Sequence, residues 1–320
     1  MSDGSSEPED MLVGTRDERF LLSEIGEPVL SLRHRRGPGA SLLYVHGATF
    51  PAALSIHYRI DGQSWADDLS ARGFDLWSFD FPGYGGSERP DGMHPAARGP
   101  DALPGRAAGA ARQIGRIVRH ITQRTQRPRV SIIAHSWGTI PAGLFAGRHP
   151  ALVDRLVLFG PIGQRNATVR DLPSSPVQLV GVADQWESFR AGPPEGETLI
   201  SRDRFEQWAE AYLATDPDSA TRMPPSVAVP SGPEADLAES WSGSYPHDPL
   251  LIRCPTLIVR GEWDSVSPDE DVAWLIAAMA QVPGGAVDVK LPRGAHRMHL
   301  EENRQALFDA VASFLKEDQR

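Results

Sequence analysis

RVSIIAHSWGT, residues 129–139, joins an apolar, β-branched run to a serine with small neighbours and then to a helical pattern. The run is typical of a strand that is buried on both faces, and the pattern after it predicts a helix over 138–149. Ala134 and Gly138 stand two positions before and two positions after Ser136. Small side chains are needed there when a serine lies on a sharp turn between strand and helix, because larger ones would collide with a neighbouring element. The stretch therefore predicts a nucleophile elbow with Ser136 as the reactive residue.

Strands and helices are predicted to alternate on both sides of this stretch. Apolar, β-prone runs predict strands at 41–47, 74–81, 152–160, 255–261 and 286–291, and helical spacing predicts helices over 62–73, 106–126, 269–280 and 301–315. Two shorter strand-like runs, FLLSEI and PVLSLRHRR, come before them. Strict alternation of this kind is typical of a mostly parallel sheet that is covered by helices on both faces. The sequence therefore predicts an α/β fold.

Segments of different character divide the chain. Residues 1–18 consist mainly of serine, glycine, proline and acidic residues, and predict a disordered tail. Residues 19–160 and 251–320 carry the alternation and predict one core. Residues 161–250 interrupt it with many prolines, several tryptophans and helix-like pieces such as RDRFEQWAEAYLA (202–214). Because a compact domain does not hold a loop of this length, this segment predicts a helical cap on the carboxyl edge of the sheet.

Composition and charge limit the possible partners. The 320 residues include 32 Lys and Arg against 42 Asp and Glu, so no basic excess is available to bind a nucleic-acid backbone. The sequence has no run of about 18 apolar residues, and MSDGSSEPEDM lacks the basic start and apolar stretch of a signal peptide. The single cysteine, Cys254, excludes an intramolecular disulfide and cysteine-cluster sites. These features predict a soluble, cytoplasmic protein that binds neither nucleic acid nor a membrane.

A serine nucleophile needs a basic histidine and an acid that orients the histidine, and candidates for both follow Ser136. Asp264 lies in VRGEWDSVSP, directly after the strand at 255–261, and His296 lies in KLPRGAHRMHLEE, directly after the strand at 286–291. Since parallel strands end at one edge of their sheet, where open sheets hold ligands, these side chains are expected to meet. The sequence therefore predicts a catalytic triad. The nearby alternatives are Glu262 and Asp269 for the acid and His299 for the base.

Two backbone N–H groups are expected to form an oxyanion hole. One belongs to Trp137, which follows the nucleophile, and the other to Ala48 in HGATFP (46–51), which follows an early strand. Thr49 is the alternative to Ala48 and a candidate substrate contact. The cap aromatic residues also include candidate substrate contacts, with plain cap packing as the alternative interpretation: Trp186, Trp208 and Tyr212.

HGATFP, WSFDFPGYGGSERP, AHSWGT, LIVRGEWDSVSP and GAHRMHLEE resemble the successive sequence blocks of the α/β-hydrolase family. The resemblance extends from about residue 20 to residue 317. It implies a mostly parallel sheet of eight strands, a Ser-Asp-His triad and no cofactor. No metal site is expected, because His296 and His299 have no third ligand at a known spacing. The chain departs from the family in having Ala134 for the first glycine of the elbow and a longer segment after His46.

The leading functional hypothesis is a serine hydrolase that cleaves a carboxylic ester or lactone, for example a bulky secondary-metabolite or macrolide-type ester, through an acyl-enzyme. A proline-type aminopeptidase is the main alternative, because Trp137 after the nucleophile resembles that subfamily, although its HGGPG-like segment is absent. An acyltransferase and a C–C bond hydrolase are further alternatives. A ligand receptor on the same fold is the non-enzyme alternative. An aminopeptidase would bind its substrate's ammonium group with acidic cap residues, for which the candidates are Asp184, Glu187, Glu206 and Glu210.

Overall fold

The computed structural model describes residues 17–93, 103–167 and 171–317. Ten strands lie within these ranges: β1 (Glu18–Glu24), β2 (Glu27–Arg35), β3 (Ser41–Val45), β4 (Asp75–Phe79), β5 (Val130–His135), β6 (Val153–Phe159), β7 (Val177–Gly181), β8 (Ser226–Pro230), β9 (Thr256–Gly261) and β10 (Val287–Leu291). The same ranges contain eight α-helices: α1 (Trp65–Ala71), α2 (Ala107–Thr125), α3 (Thr139–Arg148), α4 (Val182–Arg190), α5 (Arg202–Leu213), α6 (Gly232–Trp241), α7 (Asp269–Ala278) and α8 (Arg304–Lys316).

Eight of the strands form one sheet, in the order β1-β2-β4-β3-β5-β6-β9-β10. β2 runs antiparallel to both of its neighbours, whereas every pair from β4 to β10 is parallel. The predicted α/β fold, with a mostly parallel eight-stranded sheet flanked by helices, is confirmed. In the sheet, β4 lies on one side of β3 and β5 lies on the other side. The loops that follow β3 and β5 therefore diverge, and open parallel sheets bind their ligands at the carboxyl edge beside such a point.

Burial on both faces explains the continuous apolar sequence of the central strands. Leu43 and Val45 of β3 pack in a cluster with α2, α3 and α7, whereas Leu42 and Tyr44 pack in a second cluster with α1 and α8. All four side chains are fully buried. Because successive residues of a strand point to opposite faces, both sets must be apolar when helices cover both faces.

The ends of α1 are set by short polar signals. Ser64 Oγ accepts the backbone N–H of Asp67 at 3.1 Å, and the Asp67 carboxylate accepts the N–H of Ser64 at 2.9 Å. This capping box begins the helix at Trp65, inside the predicted range that starts at residue 62. Gly73 follows the last turn with φ of +92°, a left-handed conformation that ends helices.

The longest helix of the described ranges is α2, which has 19 residues. Ile114, Ile117 and Ile121 on its inner face are fully buried in the core cluster. Arg116 of the same helix is also buried, and its guanidinium donates to the carbonyl oxygen of Pro28 at 2.8 Å. Neither α2 nor any other helix in these ranges is both long and apolar enough to cross a membrane.

The segment between β6 and β9 differs in one respect from the predicted helical cap. It contains α5, which matches the predicted helical piece 202–214, and two further helices, α4 and α6. It also contains β7 and β8, which pair as a two-stranded antiparallel sheet. The strands are far apart in the sequence, since Val177 faces Pro230, so no local pattern marks their pairing. The cap is therefore mixed rather than helical. The domain boundaries at residues 160 and 251 stay a prediction.

The start of the core lies slightly earlier than predicted. Residues 1–16 of the predicted disordered tail lie outside the described residues. The last two residues of that prediction are held in the fold, because Asp17 accepts a 2.7 Å hydrogen bond from Arg35 and Glu18 begins β1. β1 is an edge strand with alternate residues exposed, and it includes most of the predicted strand-like run FLLSEI. The charged residues Glu18 and Arg19 at its start concealed only the first two positions.

Candidate active site

Ser136 lies at the turn between β5 and α3, where the elbow motif predicts it. Its φ angle is +55°, a left-handed conformation that residues other than glycine adopt only at a cost. A Cβ on Gly138 would lie 2.4 Å from the carbonyl oxygen of His46, and a Cβ on Gly47 would lie 3.0 Å from Cβ of Ser136. The loop after β3 therefore passes so close to the elbow that a side chain at position 138 would collide with its backbone, and a side chain at position 47 would be tightly packed. Ala134 is fully buried, which shows that alanine fits where the family motif has its first glycine.

The three predicted triad side chains form a hydrogen-bonded chain at the carboxyl edge of the sheet. Ser136 Oγ lies 2.8 Å from His296 Nε2, and His296 Nδ1 lies 3.0 Å from both carboxylate oxygens of Asp264. Because the carboxylate only accepts, Nδ1 carries the ring proton and Nε2 accepts the serine hydroxyl. A Cβ on Gly160 would lie 3.0 Å from the Asp264 carboxylate and 3.1 Å from the imidazole, so the glycine after β6 leaves room for this pair. The catalytic roles of the three residues stay a prediction.

The Asp264 carboxylate is buried and yet held in its ionised form. Its Oδ1 also accepts the backbone N–H groups of Val266 at 3.0 Å and Ser267 at 3.1 Å. Burial alone would raise the pKa of Asp264, but the charge and hydrogen bond of His296, together with the two N–H donors, hold that pKa below its ordinary value. A negative charge fixed at this point orients the imidazole and stabilises its cationic form.

The two alternative acids are directed elsewhere. Glu262 is exposed, and its carboxylate accepts the backbone N–H of Arg293 at 3.3 Å. Asp269 is also exposed and pairs with Arg260 at 2.6 Å and with Lys290 at 2.9 Å. In the described part of the chain neither carboxylate bonds to a histidine, so the geometry favours Asp264 as the acid.

The alternative base, His299, is engaged in a separate buried network. Its Nε2 lies 2.9 Å from Ser55 Oγ, which in turn bonds to the hydroxyl of Tyr44. Burial, together with the nearby charges of Arg297 and His296, holds the pKa of His299 well below its ordinary value. The geometry therefore favours His296 as the base. Among the residues that the structure describes, no three His, Cys, Asp or Glu side chains lie close enough together to hold a metal ion.

The loop after β3 carries the second predicted oxyanion donor, and His46 anchors it. The N–H of Phe81 donates to His46 Nε2 at 2.9 Å, so the ring proton lies on Nδ1, which donates to the carbonyl oxygen of Gly47 at 2.7 Å. Burial lowers the pKa of His46 to about 4, so the ring keeps this neutral form near pH 7. Thr49 has φ of +75°, which turns the loop sharply after Ala48.

The backbone N–H groups assigned to the oxyanion hole lie on the two loops that meet at the elbow. Ala48 directly follows Gly47, where a Cβ would lie 3.0 Å from Cβ of Ser136, and Trp137 directly follows Ser136. Within the described ranges, neither N–H donates to a side chain or to a loop carbonyl. The assignment of Ala48 and Trp137 stays a prediction.

Two of the predicted substrate contacts, Trp208 and Tyr212 on α5, are packing residues in the structure. The Trp208 indole N–H donates to the carbonyl oxygen of Leu54 at 3.0 Å, and the Tyr212 hydroxyl donates to that of Val180 at 3.2 Å. The two rings stack at 5.1 Å and are 1% and 0% exposed. This geometry corresponds to the packing alternative, because Trp208 joins α5 to the core, Tyr212 joins α5 to β7, and both rings are buried.

Trp186 and Thr49 are the other two predicted substrate contacts, and both are half-buried. The Trp186 ring lies 4.7 Å from that of Phe205, and the guanidinium of Arg202 lies 4.7 Å from its centre. Thr49 lies on the oxyanion loop, and its hydroxyl is buried without a hydrogen-bond partner among the described residues. A substrate contact by either residue stays a prediction.

The backbone around His296 is fixed by residues whose role the sequence did not reveal. Glu301 accepts the N–H of Ala295 at 2.8 Å and the N–H of Arg297 at 3.2 Å, which are the residues on either side of the histidine. The carbonyl oxygen of His296 lies 2.9 Å from His135 Nε2. Three hydrogen bonds thus hold the turn that presents the imidazole. Glu301 stands five positions after His296 in GAHRMHLEE, but a carboxylate there has no periodicity that distinguishes it from a surface residue.

Arg297 connects the same turn to the cap. Its guanidinium donates to the carbonyl oxygen of Ser188 at 2.9 Å and to the side chain of Gln185 at 3.2 Å, both on α4, and lies 4.9 Å from the ring centre of Phe189. Burial lowers the pKa of Arg297 to about 10, so the side chain remains charged near pH 7. The residue that follows His296 therefore links the triad to α4.

Replacing Glu301 with glutamine is expected to change how stability depends on pH. Burial raises the pKa of Glu301 from an ordinary 4.5 to about 8, although the N–H groups of Ala295 and Arg297 oppose this shift. A carboxyl group with a raised pKa contributes stability below its ordinary pKa and loses that contribution as the pH rises through the folded value. The difference in unfolding free energy, wild type minus Glu301→Gln, should therefore fall between about pH 5 and 8, by at most ~1.4 kcal/mol per pH unit.

Denaturant unfolding of the wild type and of Glu301→Gln at several pH values measures this difference. The comparison cancels the other buried groups, such as His46, because both proteins retain them. A difference that stays constant or grows with pH would show that Glu301 is ionised in the folded protein throughout the range.

Comparisons with solved structures agree with this architecture. A serine hydrolase involved in carbazole degradation matches with a TM-score of 0.66 and 17% sequence identity, over 94% of this chain and 99% of its own. A 2-hydroxy-6-oxo-6-phenylhexa-2,4-dienoate hydrolase from Rhodococcus sp. strain RHA1 matches with a TM-score of 0.65 and 18% identity, over 95% of this chain and 100% of its own. At these identities the likeness establishes a common fold and nothing more.

Sequence comparison adds a relative and a family. The serine hydrolase BPHL of Mus musculus is 25% identical over 232 residues, which is 72% of this chain, and the chain spans 66% of the length of that relative. A family model described as the α/β-hydrolase fold matches residues 41–302, from β3 to the turn before α8. This match covers most of the chain and agrees with the sheet order, the elbow and the sequence blocks, so the chain belongs to the α/β-hydrolase family.

Proposed function

We propose that the protein is a serine hydrolase that cleaves a carboxylic ester or lactone through an acyl-enzyme. The observation that carries the proposal is the chain of hydrogen bonds from Ser136 through His296 to the buried Asp264, with separations of 2.8 and 3.0 Å. Removal of a serine proton requires a neutral imidazole between the hydroxyl and a carboxylate. The membership of the chain in a hydrolase family supports the same type of reaction.

Acylation begins when Ser136 Oγ attacks the carbonyl carbon of the substrate and His296 Nε2 takes the hydroxyl proton. The carbonyl oxygen becomes an oxyanion, which the N–H groups of Trp137 and Ala48 stabilise. Asp264 stabilises the imidazolium that forms, because its carboxylate is ionised and bonded to Nδ1. The tetrahedral intermediate then collapses, the C–O bond to the alcohol breaks, and His296 gives its proton to the departing alkoxide.

Deacylation repeats these steps with water as the nucleophile. His296 takes a proton from water as the water oxygen attacks the acyl carbon, and it returns that proton to Ser136 Oγ when the ester bond to the enzyme breaks. A linear ester gives an acid and an alcohol. A lactone gives one hydroxy acid, since its alkoxide remains attached to the acyl group.

The positions of the acidic side chains in the cap favour a neutral substrate over a peptide with a free amino terminus. An aminopeptidase binds an ammonium group with acidic side chains directed into its pocket. The candidate carboxylates are all exposed: Asp184, Glu187, Glu206 and Glu210. Glu206 pairs with Arg202 at 2.7 Å, and Asp184 accepts the N–H of Gly181 at 2.8 Å at the start of α4. All four carboxylates are thus exposed, and Glu206 and Asp184 already have partners on their own segments, which supports ester hydrolysis over aminopeptidase activity.

A substrate panel tests the proposal. Purified protein is assayed with p-nitrophenyl esters of increasing acyl length, with macrocyclic lactones and with prolyl p-nitroanilide, and Ser136→Ala serves as the background control. We expect kcat/KM for the best neutral ester or lactone to exceed that for the anilide. A higher kcat/KM for the anilide than for every ester would favour the aminopeptidase. Binding of esters without turnover would favour a receptor on this fold.

A further inference from the structure

A buried carboxylate on the cap helix α6 contacts the residue that follows the nucleophile. Asp236 is 1% exposed, and its Oδ2 accepts the indole N–H of Trp137 at 2.9 Å. The same oxygen accepts the backbone N–H of Ala107 at 2.7 Å, and Oδ1 accepts Arg106 Nε at 2.6 Å. Three donors and one guanidinium charge therefore compensate the burial of this carboxylate, which would otherwise be costly.

The helix that carries Asp236 is closely fixed to the core. The N–H of Gly232, the first residue of α6, donates to the carbonyl oxygen of Pro104 at 2.8 Å. A Cβ on Gly232 would lie 2.3 Å from that oxygen, so the chain segments touch at the backbone. Glu239, one turn after Asp236, binds the other side of the Arg106 guanidinium. α6 is thus held against the start of α2, which gives the Asp236 carboxylate a defined position.

The Trp137 indole is buried against the segment that follows β4. The ring is 1% exposed and packs edge to face on Phe81 at 5.3 Å. Phe81 in turn donates its backbone N–H to His46, which precedes the oxyanion loop. Holding the far end of the indole limits rotation about the Trp137 side-chain bonds, and so limits movement of its backbone N–H in the tight turn of residues 136–138.

We propose that Asp236 is a positioning residue that orients Trp137, and with it the first donor of the oxyanion hole, through the hydrogen bond to the indole. This inference rests on the proposed function, because it assigns Asp236 a part in acyl transfer at Ser136. Asp236 does not touch the reacting atoms. Its contribution is to fix the direction of the Trp137 N–H before the oxyanion forms, which is the property that makes such donors effective. Because Asp236 lies on the cap helix α6, the geometry of the oxyanion hole also depends on how the cap packs against the core.

Asp236→Asn tests this role with little change in volume. One of the two side-chain positions becomes an NH2 group, which faces either Arg106 or the donors Trp137 and Ala107. We expect kcat and the rate of Ser136 labelling by a fluorophosphonate to fall about 10-fold to 100-fold, with KM nearly unchanged, because a displaced donor weakens transition-state binding. Trp137→Phe removes the indole N–H from the other side and should give a loss of similar size.

The double variant Asp236→Asn/Trp137→Phe separates positioning from general structural damage. If Asp236 acts through the indole, the double variant should be at most about twofold slower than the slower single variant, because both changes remove one interaction. Multiplied losses would overturn the proposal. Glu239→Gln is the matched control, since it weakens the other contact of α6 with Arg106 without touching Trp137, and it should keep the wild-type labelling rate.

The outcomes also distinguish this inference from the proposed function. If the wild type neither hydrolyses an ester nor is labelled at Ser136, the proposed function fails. If the wild type is active and Asp236→Asn matches its kcat and labelling rate, the positioning role fails while the proposed function stands. If Asp236→Asn does not fold, Trp137→Phe tests the proposal by itself. Wild-type kcat and labelling rate in Trp137→Phe would show that the indole hydrogen bond does not orient the Trp137 N–H.

Discussion

Replacing Ser136 with alanine is expected to abolish ester turnover while the protein stays folded. The change removes the oxygen that attacks the substrate, and the loss of a triad serine lowers kcat by up to about 10⁶-fold. It introduces no new steric contact, because the Cβ beside Gly47 is already present in serine. The left-handed backbone at this position is equally costly for alanine. Initial rates with the best ester of the panel, together with thermal unfolding followed by circular dichroism, measure both parts of the expectation.

A fluorophosphonate identifies the nucleophile independently of the substrate. It should label the wild type at Ser136, as shown by the mass of the modified peptide, and should leave Ser136→Ala unlabelled. Ser265→Ala is the matched control, because Ser265 is an exposed serine next to Asp264 and should keep wild-type activity and labelling. Activity above a few per cent in Ser136→Ala, or a label on another serine, would contradict the assignment of the nucleophile.

The candidate triad could be predicted from the sequence because each of its residues follows a recognisable strand. Parallel strands end at one edge of the sheet, so the loops after β5, β9 and β10 bring Ser136, Asp264 and His296 to the same edge. This placement does not depend on the structure of the segments that connect the strands. The choice of Asp264 over Glu262 depended on position alone. The structure adds the physical reason, since Asp264 is buried against two N–H donors and the imidazole, whereas Glu262 is exposed.

The cap could be located from the sequence but not oriented. Helical spacing placed α5 correctly, yet it gave no information on whether Trp208 faces a pocket or the core. The direction of the Trp208 side chain is fixed by a hydrogen bond from its indole N–H to the carbonyl oxygen of Leu54, which is distant in the sequence. Asp236 and Trp137 are likewise 99 positions apart, so no local pattern links them. Contacts of this kind depend on how the cap packs against the core, which hydrophobic periodicity does not encode.

Replacing His296 with alanine is expected to lower kcat by about 10³-fold to 10⁶-fold, since the group that accepts the Ser136 proton is lost. The change leaves a cavity of the size of an imidazole ring beside Ser136 Oγ. At the far end of this cavity, the Asp264 carboxylate keeps its hydrogen bonds from the N–H groups of Val266 and Ser267 and can accept one from a bound imidazole. Added imidazole should therefore restore part of the activity of His296→Ala and none of that of Ser136→Ala. Initial rates over a range of imidazole concentrations measure this recovery.

His299→Ala is the matched control, because both histidines lie on the same turn and both are buried. His299 bonds to Ser55 rather than to Ser136, so its loss removes a buried hydrogen bond and packing but no proton acceptor. We expect His299→Ala to lower the unfolding free energy by about 1–3 kcal/mol while kcat falls less than about tenfold. A larger kcat loss at His299 than at His296 would reverse the assignment of the base. Equal losses that imidazole does not restore would mean that both variants disturb the turn rather than the proton transfer.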